Sequence, residues 1–314
     1  HLPGSYEEPP PTLIDDLKRD RRWCYGNLMN FRLFPEPSFH PVHRAVFMTG
    51  AFSYVSAPLW FLFLVASSAR LASHSLFEPE YFVSPNQLFP VWPQWQPENA
   101  MILFGVTGVL LFAPKILSYV LTAFDQPRGF GGRIALLVSM VVETLVSALL
   151  APIRMLFHTQ FVAAALLGRS IKWKSPLRED AETGWREAFG WHGLHMLLGF
   201  SWAAFVYWLN PDFLWWLLPI VGAMALSVPI SVYSSRGSVG RMLRRMKLLL
   251  IPEEIDAPRE LRWTQEVLQA AQPLPGLAEA AVDPALNALV CAQGTKRSRA
   301  IIRSSSVGTT STAT

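Results

Sequence analysis

The sequence is poor in charged residues and in cysteine. Asp, Glu, Lys and Arg make up 16% of its 314 residues, against about 25% in ordinary globular domains. The two cysteines, Cys24 and Cys291, form neither a disulfide framework nor a CxxC metal or redox pair. No basic segment precedes an apolar run at the start of the chain, so a signal peptide is not expected there. Hydrophobic residues reach 51% and the mean hydropathy is +0.25, which indicates a membrane protein rather than two soluble domains.

The excess of basic residues belongs to the flanks of the apolar segments. Lys and Arg number 27 against 23 Asp and Glu, for a net charge of +4. A nucleic-acid-binding protein would carry these residues as one basic stripe, whereas here they cluster beside apolar runs. We therefore expect no nucleic acid as a partner, and attribute the basic residues to the edges of membrane spans.

Apolar segments of bilayer length follow one another between residues 45 and 233. A crossing needs about 20 apolar residues. The predicted crossings are 45–69, 101–124, 134–151, 153–168, 194–209 and 213–233. Pro152 interrupts the stretch 134–168, which is interpreted either as two short crossings or as one crossing and an interfacial helix. Asn210-Pro211-Asp212 predicts a tight hairpin between the last two helices.

Basic residues on short loops predict the orientation, because such loops stay cytoplasmic. The segments 18–44, 128–133, 169–186 and 236–247 are rich in Lys and Arg, while the loop 70–100 is acidic on balance. All four basic segments lie inside if 134–168 crosses an even number of times. Both ends of the chain are then cytoplasmic.

The predicted fold is an all-α polytopic membrane protein, in which an interfacial amphipathic helix precedes about six transmembrane helices. Residues 1–44 contain that helix and 45–233 form the transmembrane region. Residues 234–293 form a cytoplasmic tail with a short amphipathic helix. The Ser/Thr-rich stretch 294–314 has too few apolar residues to fold and is predicted to be disordered.

A capped basic helix is predicted from Thr12 to Trp23. Thr12-Leu-Ile-Asp15 resembles a capping box with Asp in place of Glu, and it follows three prolines. The apolar stripe of this helix is Leu13, Ile14 and Leu17.

Arg19, Arg22 and Trp23 share one face of this helix, because they are spaced i, i+3 and i+4. A guanidinium group offers a planar fork to a diphosphate, and an indole offers a flat apolar surface to a sugar ring. The face therefore suits a nucleotide sugar. It equally suits a surface of anionic lipid, and the spacing leaves both interpretations open.

Glu143 is the main polar candidate inside an apolar segment. A carboxylate there is costly unless it is paired or faces a wet cavity. It is interpreted either as a functional residue or as a structural partner of Arg154 or His158. His192 and His195 have no third ligand nearby in the sequence, so no metal site is predicted.

Several long strings resemble one family in the same order. They are Leu2-Pro-Gly-Ser-Tyr-Glu-Glu-Pro-Pro, Leu17-Lys-Arg-Asp-Arg-Arg-Trp-Cys24, His40-Pro-Val-His-Arg44, Phe89-Pro-Val-Trp-Pro-Gln-Trp95, Leu150-Ala-Pro-Ile-Arg-Met-Leu-Phe-His-Thr159 and Leu250-Ile-Pro-Glu-Glu254. From residue 1 to about residue 295 the chain resembles the glucans biosynthesis glucosyltransferase H family. Its members are processive family-2 glycosyltransferases of the Gram-negative inner membrane. The resemblance implies transfer of glucose from UDP-glucose to a growing β-1,2 glucan, the backbone of osmoregulated periplasmic glucans, and conduction of that glucan across the membrane.

The resemblance also implies roles for the basic helix. Processive relatives carry Gln-x-x-Arg-Trp beneath the active site, and this chain has Arg19-Asp20-Arg21-Arg22-Trp23. Arg22 would neutralise the departing diphosphate and Trp23 would stack under the acceptor sugar, whereas Arg19 replaces the usual amide. The resemblance therefore favours the nucleotide sugar over lipid as the ligand of this face. Glu143 would hydrogen-bond hydroxyls along a glucan path.

The chain contains no DxD motif. The family places its α/β nucleotide-sugar domain, the DxD that holds Mg or Mn on UDP, and the general base upstream of this region. Residues 1–44 are therefore expected to include the end of that domain. No catalytic residue is expected in this chain, and the chain alone is expected to be inactive.

The implied partners are UDP-glucose, the growing β-glucan, the lipid bilayer, an acyl carrier protein and a periplasmic glucan-processing protein. Two other functions compete with this one. A transporter or channel should show internal repeats, which are not found in the sequence, and an inert membrane anchor would have a closed sugar path.

Overall fold

The computed structural model describes residues 6–7, 9–77, 97–169, 182–270 and 282–293, and every regular element within these ranges is helical. This confirms the all-α membrane class predicted from the sequence. The predicted disordered end 294–314 lies outside the described residues.

The long helices follow the apolar segments. In chain order the helices, long and short, are α1 (Leu13–Asn30), α2 (Pro41–Leu76), α3 (Pro97–Asp125), α4 (Arg133–Leu166), α5 (Trp185–Leu209), α6 (Pro211–Ala225), α7 (Ser227–Ser234), α8 (Gly237–Arg245), α9 (Pro252–Ile255) and α10 (Arg259–Ala270), and a further helix spans Pro284–Gln293. Single 3-10 turns lie at Phe31–Leu33 and Pro127–Phe130. By length and composition α2, α3 and α4 can each cross a membrane, and α6 with α7 forms a fourth candidate that is bent by 56°.

The chain divides into two compact units, His1–Asp256 and Ala257–Thr314. The second unit contains α10, which has no buried residue and exposes Trp263, Val267 and Leu268. Their spacing makes α10 amphipathic, as the sequence predicts for this segment. The remaining description concerns the first unit.

The core of the first unit lies where α2, α4, α5 and α6 meet. Its buried residues are Ala57, Leu64, Met155, Leu156, Trp202, Val206, Leu217, Val221 and Met224. The indole Nε1 of Trp202 donates to Ser68 Oγ over 2.9 Å, so the polar atom of this buried ring is satisfied. The apolar faces of the four helices therefore bury one another.

The predicted hairpin between α5 and α6 is confirmed. Asn210 caps α6, because its Oδ1 accepts from the backbone N–H of Asp212 at 3.0 Å and of Phe213 at 3.2 Å. A Cβ on Gly199 would lie 2.6 Å from the backbone nitrogen of Ala225. The absence of a side chain at Gly199 is thus what lets the two helices approach so closely.

The predicted break of 134–168 at Pro152 is wrong, since α4 runs through it as one helix. Proline removes one backbone hydrogen bond, but the buried residues of α4 from Pro152 to Val162 pack against neighbouring helices. This packing holds the segment helical. One continuous helix cannot make two crossings in opposite directions, so the structure does not support separate crossings at 134–151 and 153–168.

Candidate functional site

The basic helix begins where its cap predicts. Three prolines precede Thr12, and the Oγ1 of Thr12 accepts from the backbone N–H of Asp15 over 3.2 Å. The same hydroxyl donates to the Asp15 carboxylate over 2.8 Å. The capping Thr therefore satisfies a free N–H group of the first turn of α1, and Asp15 suits the positive end of the helix dipole.

One face of α1 is docked on the membrane helices. Its buried residues are Leu13, Ile14, Leu17, Asp20 and Cys24, which include the predicted apolar stripe. Of these, Leu13, Leu17 and Cys24 share one buried cluster with Ile153, Phe157 and Phe161 of α4 and with Tyr54 of α2. Burial, together with the nearby charge of Asp20, raises the pKa of the Cys24 thiol to about 12.

Acidic residues at the edge of the docked face pair with α4. Arg154 donates to the carboxylates of Asp16 and Asp20, with 3.5 Å between its Nη1 and Asp20 Oδ2. His158 Nε2 lies 3.2 Å from the same oxygen of Asp20. The side chain of Asp20 is 10% exposed and that of Arg154 39%, so this charged cluster is half-enclosed between the two helices.

The three predicted site residues lie away from the docked face. Helical geometry places Arg19, Arg22 and Trp23 on the side opposite Leu17, and the indole of Trp23 is 53% exposed. The guanidinium carbon of Arg19 lies 4.9 Å from the centroid of the Trp23 ring, and Arg19 Nη2 lies 2.6 Å from Asp16 Oδ1. The structure makes α1 helical through all three positions, as a shared face requires, and it adds direct contact between Arg19 and Trp23.

This face can bind a ligand that combines apolar and anionic groups. The Arg19 guanidinium forms a cation–π contact with the Trp23 indole. The exposed remainder of the Trp23 ring is a flat apolar surface. Arg22 adds a second planar cation on the same side of the helix. A sugar attached to a diphosphate has both properties.

Glu143 lies elsewhere, on the face of α4 that meets α3. Its carboxylate pairs with Lys115 and accepts from Ser147 Oγ over 2.8 Å. The expected pairing with Arg154 or His158 is therefore wrong, because the aspartates of α1 engage both of those residues. The sequence could not indicate the pairing of Arg154 with Asp16, because the two residues are 138 positions apart. The only local signal was a pair of acidic residues at the edge of an apolar stripe.

His192 and His195 are packed inside the unit. They are 0% and 3% exposed, and both stack edge-on against Phe157. His195 Nε2 lies 3.0 Å from the Nε2 of Gln160. Within the described residues, no three His, Cys, Asp or Glu side chains are grouped so as to hold a metal ion.

Curated proteins named glucans biosynthesis glucosyltransferase H match nearly the whole chain. The protein from Ralstonia nicotianae is 60% identical over 296 residues, which cover 94% of this chain and 34% of that protein. Those from Pseudomonas aeruginosa and Cupriavidus pinatubonensis are 59% and 58% identical, over 299 and 296 residues. The chain thus spans about a third of the length of these relatives and matches their carboxyl-terminal portion. The family resemblance predicted from the sequence strings is confirmed. Neither a protein-family model nor a solved structure matches the chain.

Proposed function

We propose that this chain, similar over 94% of its length to the carboxyl-terminal portion of glucan-synthesising glucosyltransferases, is the membrane portion of such an enzyme. The full-length enzyme is then this chain together with the portion that its relatives carry beyond it. The proposal rests on one structural observation above all. The helix α1 docks one face on the membrane bundle and leaves on the other an exposed indole that the Arg19 guanidinium contacts.

The proposed reaction is elongation of a β-1,2 glucan from UDP-glucose. Trp23 stacks under the acceptor sugar, because an exposed ring accommodates the carbon-bound hydrogens of a pyranose. Arg22 pairs with the diphosphate as the glycosyl bond breaks. Arg19 supports the indole through the contact at 4.9 Å.

The remaining parts of the proposal concern the full-length enzyme. A nucleotide-sugar domain, its Mg or Mn ion and the general base lie in the portion that this chain lacks, so this chain alone transfers no glucose. The enzyme resides in the bacterial inner membrane with both ends of this chain in the cytoplasm, and it conducts the glucan to the periplasm. An acyl carrier protein and a periplasmic glucan-processing protein are proposed partners.

Replacement of Trp23 tests the proposed site. In the full-length enzyme we expect Trp23→Ala to abolish glucan synthesis while UDP affinity changes less than about twofold, because the indole contacts the acceptor and not the nucleotide. Trp23→Phe should restore part of the activity, since it keeps a flat ring. The measurements are glucose incorporation from labelled UDP-glucose and UDP binding by calorimetry.

A matched control is Trp215→Ala, which removes an indole that is 74% exposed on α6. This variant should keep full activity. Unchanged polymer yield with Trp23→Ala would refute the stacking role.

A further inference from the structure

We propose that Arg154 and Asp16 are positioning residues for the sugar-binding face of α1, acting on Trp23 through a relay of two guanidinium groups joined by one carboxylate. This inference rests on the proposed function, because it assigns the acceptor contact to Trp23. It adds a link from the bundle to the site that neither the family motif nor the spacing on α1 contains.

The first link crosses between two helices. Arg154 belongs to α4, where its neighbours Ile153 and Met155 are buried, so the start of its side chain is held by the packed bundle. Its Nη2 donates to Asp16 Oδ2 on α1, and its Nη1 lies 3.5 Å from Asp20 Oδ2. One planar cation thereby contacts two carboxylates a helical turn apart, which fixes both the rotation and the height of α1.

The second link runs along α1 to its exposed face. The other oxygen of Asp16, Oδ1, accepts from Arg19 Nη2 over 2.6 Å. Arg19 in turn holds its guanidinium carbon 4.9 Å from the ring centroid of Trp23. Asp16 therefore accepts from Arg154 of the bundle with one carboxylate oxygen and from Arg19 with the other. The rotamer of Arg19 depends on both of these hydrogen bonds.

The relay gives a physical role to Arg19, which stands where processive relatives usually carry Gln. An amide could hydrogen-bond Asp16 but would not bring a cation over the indole. A guanidinium group does both, because its plane can stack on a ring while its edge donates to a carboxylate.

A neighbouring ion pair on α1 lies outside the relay and serves as its control. Lys18 and Asp15 form an i, i+3 pair at 2.8 Å on the same helix. That pair contacts neither Arg154 nor Trp23 in the described structure, although Lys18 lies 5.7 Å from the ring of Trp191. It therefore supplies a matched control of equal chemistry and similar position.

Docking of α1 can be measured without catalysis, through the thiol of Cys24. This thiol is 0% exposed between α1 and the bundle, and Cys291→Ser removes the other cysteine of this chain. In this background, with any cysteine outside this chain also replaced, we expect Arg154→Met to expose Cys24 to maleimide at least about tenfold faster, since Asp16 and Asp20 both lose their contact with the Arg154 guanidinium. Asp16→Asn should leave Cys24 protected, because Asp20 still contacts Arg154 and His158.

Kinetics of the full-length enzyme then separate positioning from docking. Asp16→Asn should raise the KM for an added β-1,2 glucan primer about tenfold, the effect expected for loss of one charge-assisted hydrogen bond. UDP affinity should change less than about twofold. Lys18→Gln, which breaks the control pair, should change neither quantity.

A double-mutant cycle tests the relay itself. Asp16→Asn combined with Arg19→Gln should cost no more in primer KM than Arg19→Gln alone, because both changes break the same contact to Trp23. Additive effects, or an unchanged KM with Asp16→Asn while Cys24 stays protected, would overturn the relay. A different result would refute the proposed function, namely full activity of the Trp23→Ala enzyme. That result would not change the docking measurement with Arg154→Met.

Discussion

At the scale of single residues, several charged side chains form ion pairs that join two helices. Lys115 pairs with Glu143 between α3 and α4, and Arg154 pairs with the aspartates of α1. A charge in an apolar layer is tolerated when it has a partner. Both oxygens of Glu143 are occupied, by Lys115 and by Ser147, which favours a structural role for this residue over a place on the glucan path. The path role stays a prediction.

The Lys115–Glu143 pair separates these two roles. Lys115→Met alone should lower folding yield, because it leaves the carboxylate of Glu143 unpaired in an apolar layer. Lys115→Met combined with Glu143→Met should regain yield, since both charges are gone. If the pair is structural, the double variant also exports glucan normally. Recovery of folded protein, measured by size-exclusion chromatography, without recovery of export would instead place Glu143 on the path.

Cys24 provides a prediction about pH. Its thiol is buried and its pKa is raised from 9.0 to about 12, so the folded protein favours the neutral thiol. This preference stabilises the fold fully below pH 9, and the contribution is lost as pH rises from 9 towards 12. We expect maleimide at pH 8 to label the exposed Cys291 and to leave Cys24 unmodified until the protein is unfolded. Equal labelling rates of the two thiols in the folded protein would contradict this.

The residue patterns on α1 predicted its own faces well and its partners poorly. Leu13 and Leu17 are buried and Trp23 is exposed, as the helical period requires. The partner of Asp16 lies on another helix 138 positions away. No local pattern encodes such a contact, because it depends on how two helices pack.

At the scale of elements, packing overrides local propensity in α4. Proline at position 152 predicts a break, and the helix continues because its buried residues from Pro152 to Val162 hold it against α1, α2 and α6. The opposite case is the segment predicted as one crossing at 213–233. It bends by 56° between α6 and α7 at Leu226, where Pro229 in the first turn of α7 has no N–H to donate to the carbonyl of Ala225.

The close approach of α5 and α6 depends on Gly199. A Cβ there would lie 2.6 Å from Ala225 N and 2.9 Å from Val221 O, and backbone atoms cannot move aside as side chains do. We therefore expect Gly199→Val to separate the two helices and to destabilise the protein by about 1–3 kcal/mol or more. Gly105→Val is the control, since a Cβ on Gly105 meets nothing within 4 Å. Thermal unfolding in detergent should show a lower Tm for the first variant and little change for the second.

At the scale of the whole molecule, polar contacts join the ends of distant helices. Thr183 N donates to Ser235 Oγ over 2.9 Å, and Glu182 accepts from Gly237 N over 3.0 Å. A further hydrogen bond from Arg236 holds the pKa of Glu182 below its usual range. The start of α5 and the end of α7 therefore lie on one side of the membrane.

The start of α4 is joined to the same side. Ser139 Oγ accepts from Leu249 N over 2.8 Å, and a Cβ on Gly131 would lie 2.7 Å from the carbonyl oxygen of Lys247. Between Ser235 and Lys247 the chain forms the basic helix α8, which is too polar to cross a bilayer. The sequence after α4 is basic from 169 to 186, so the charge rule predicts the same side for the end of α4. By length and composition α4 can itself span a membrane, but if the charge rule holds at both of its ends it makes no net crossing. We then expect four crossings, by α2, α3, α5 and α6 with α7.

Cysteine labelling from outside the cell tests this arrangement. In a background without native cysteines, we expect cysteines introduced at Arg128, Arg169 and Ser238 to be shielded from a membrane-impermeant maleimide, because the charge rule predicts a cytoplasmic position for all three. A cysteine at Ser75, beyond the first crossing, should be labelled and serves as the control. The decisive comparison is between Arg128 and Arg169, at the two ends of α4. If Arg169 is labelled while Arg128 is shielded, α4 crosses once, and the basic residues that follow it lie outside, against the charge rule from which the orientation was predicted.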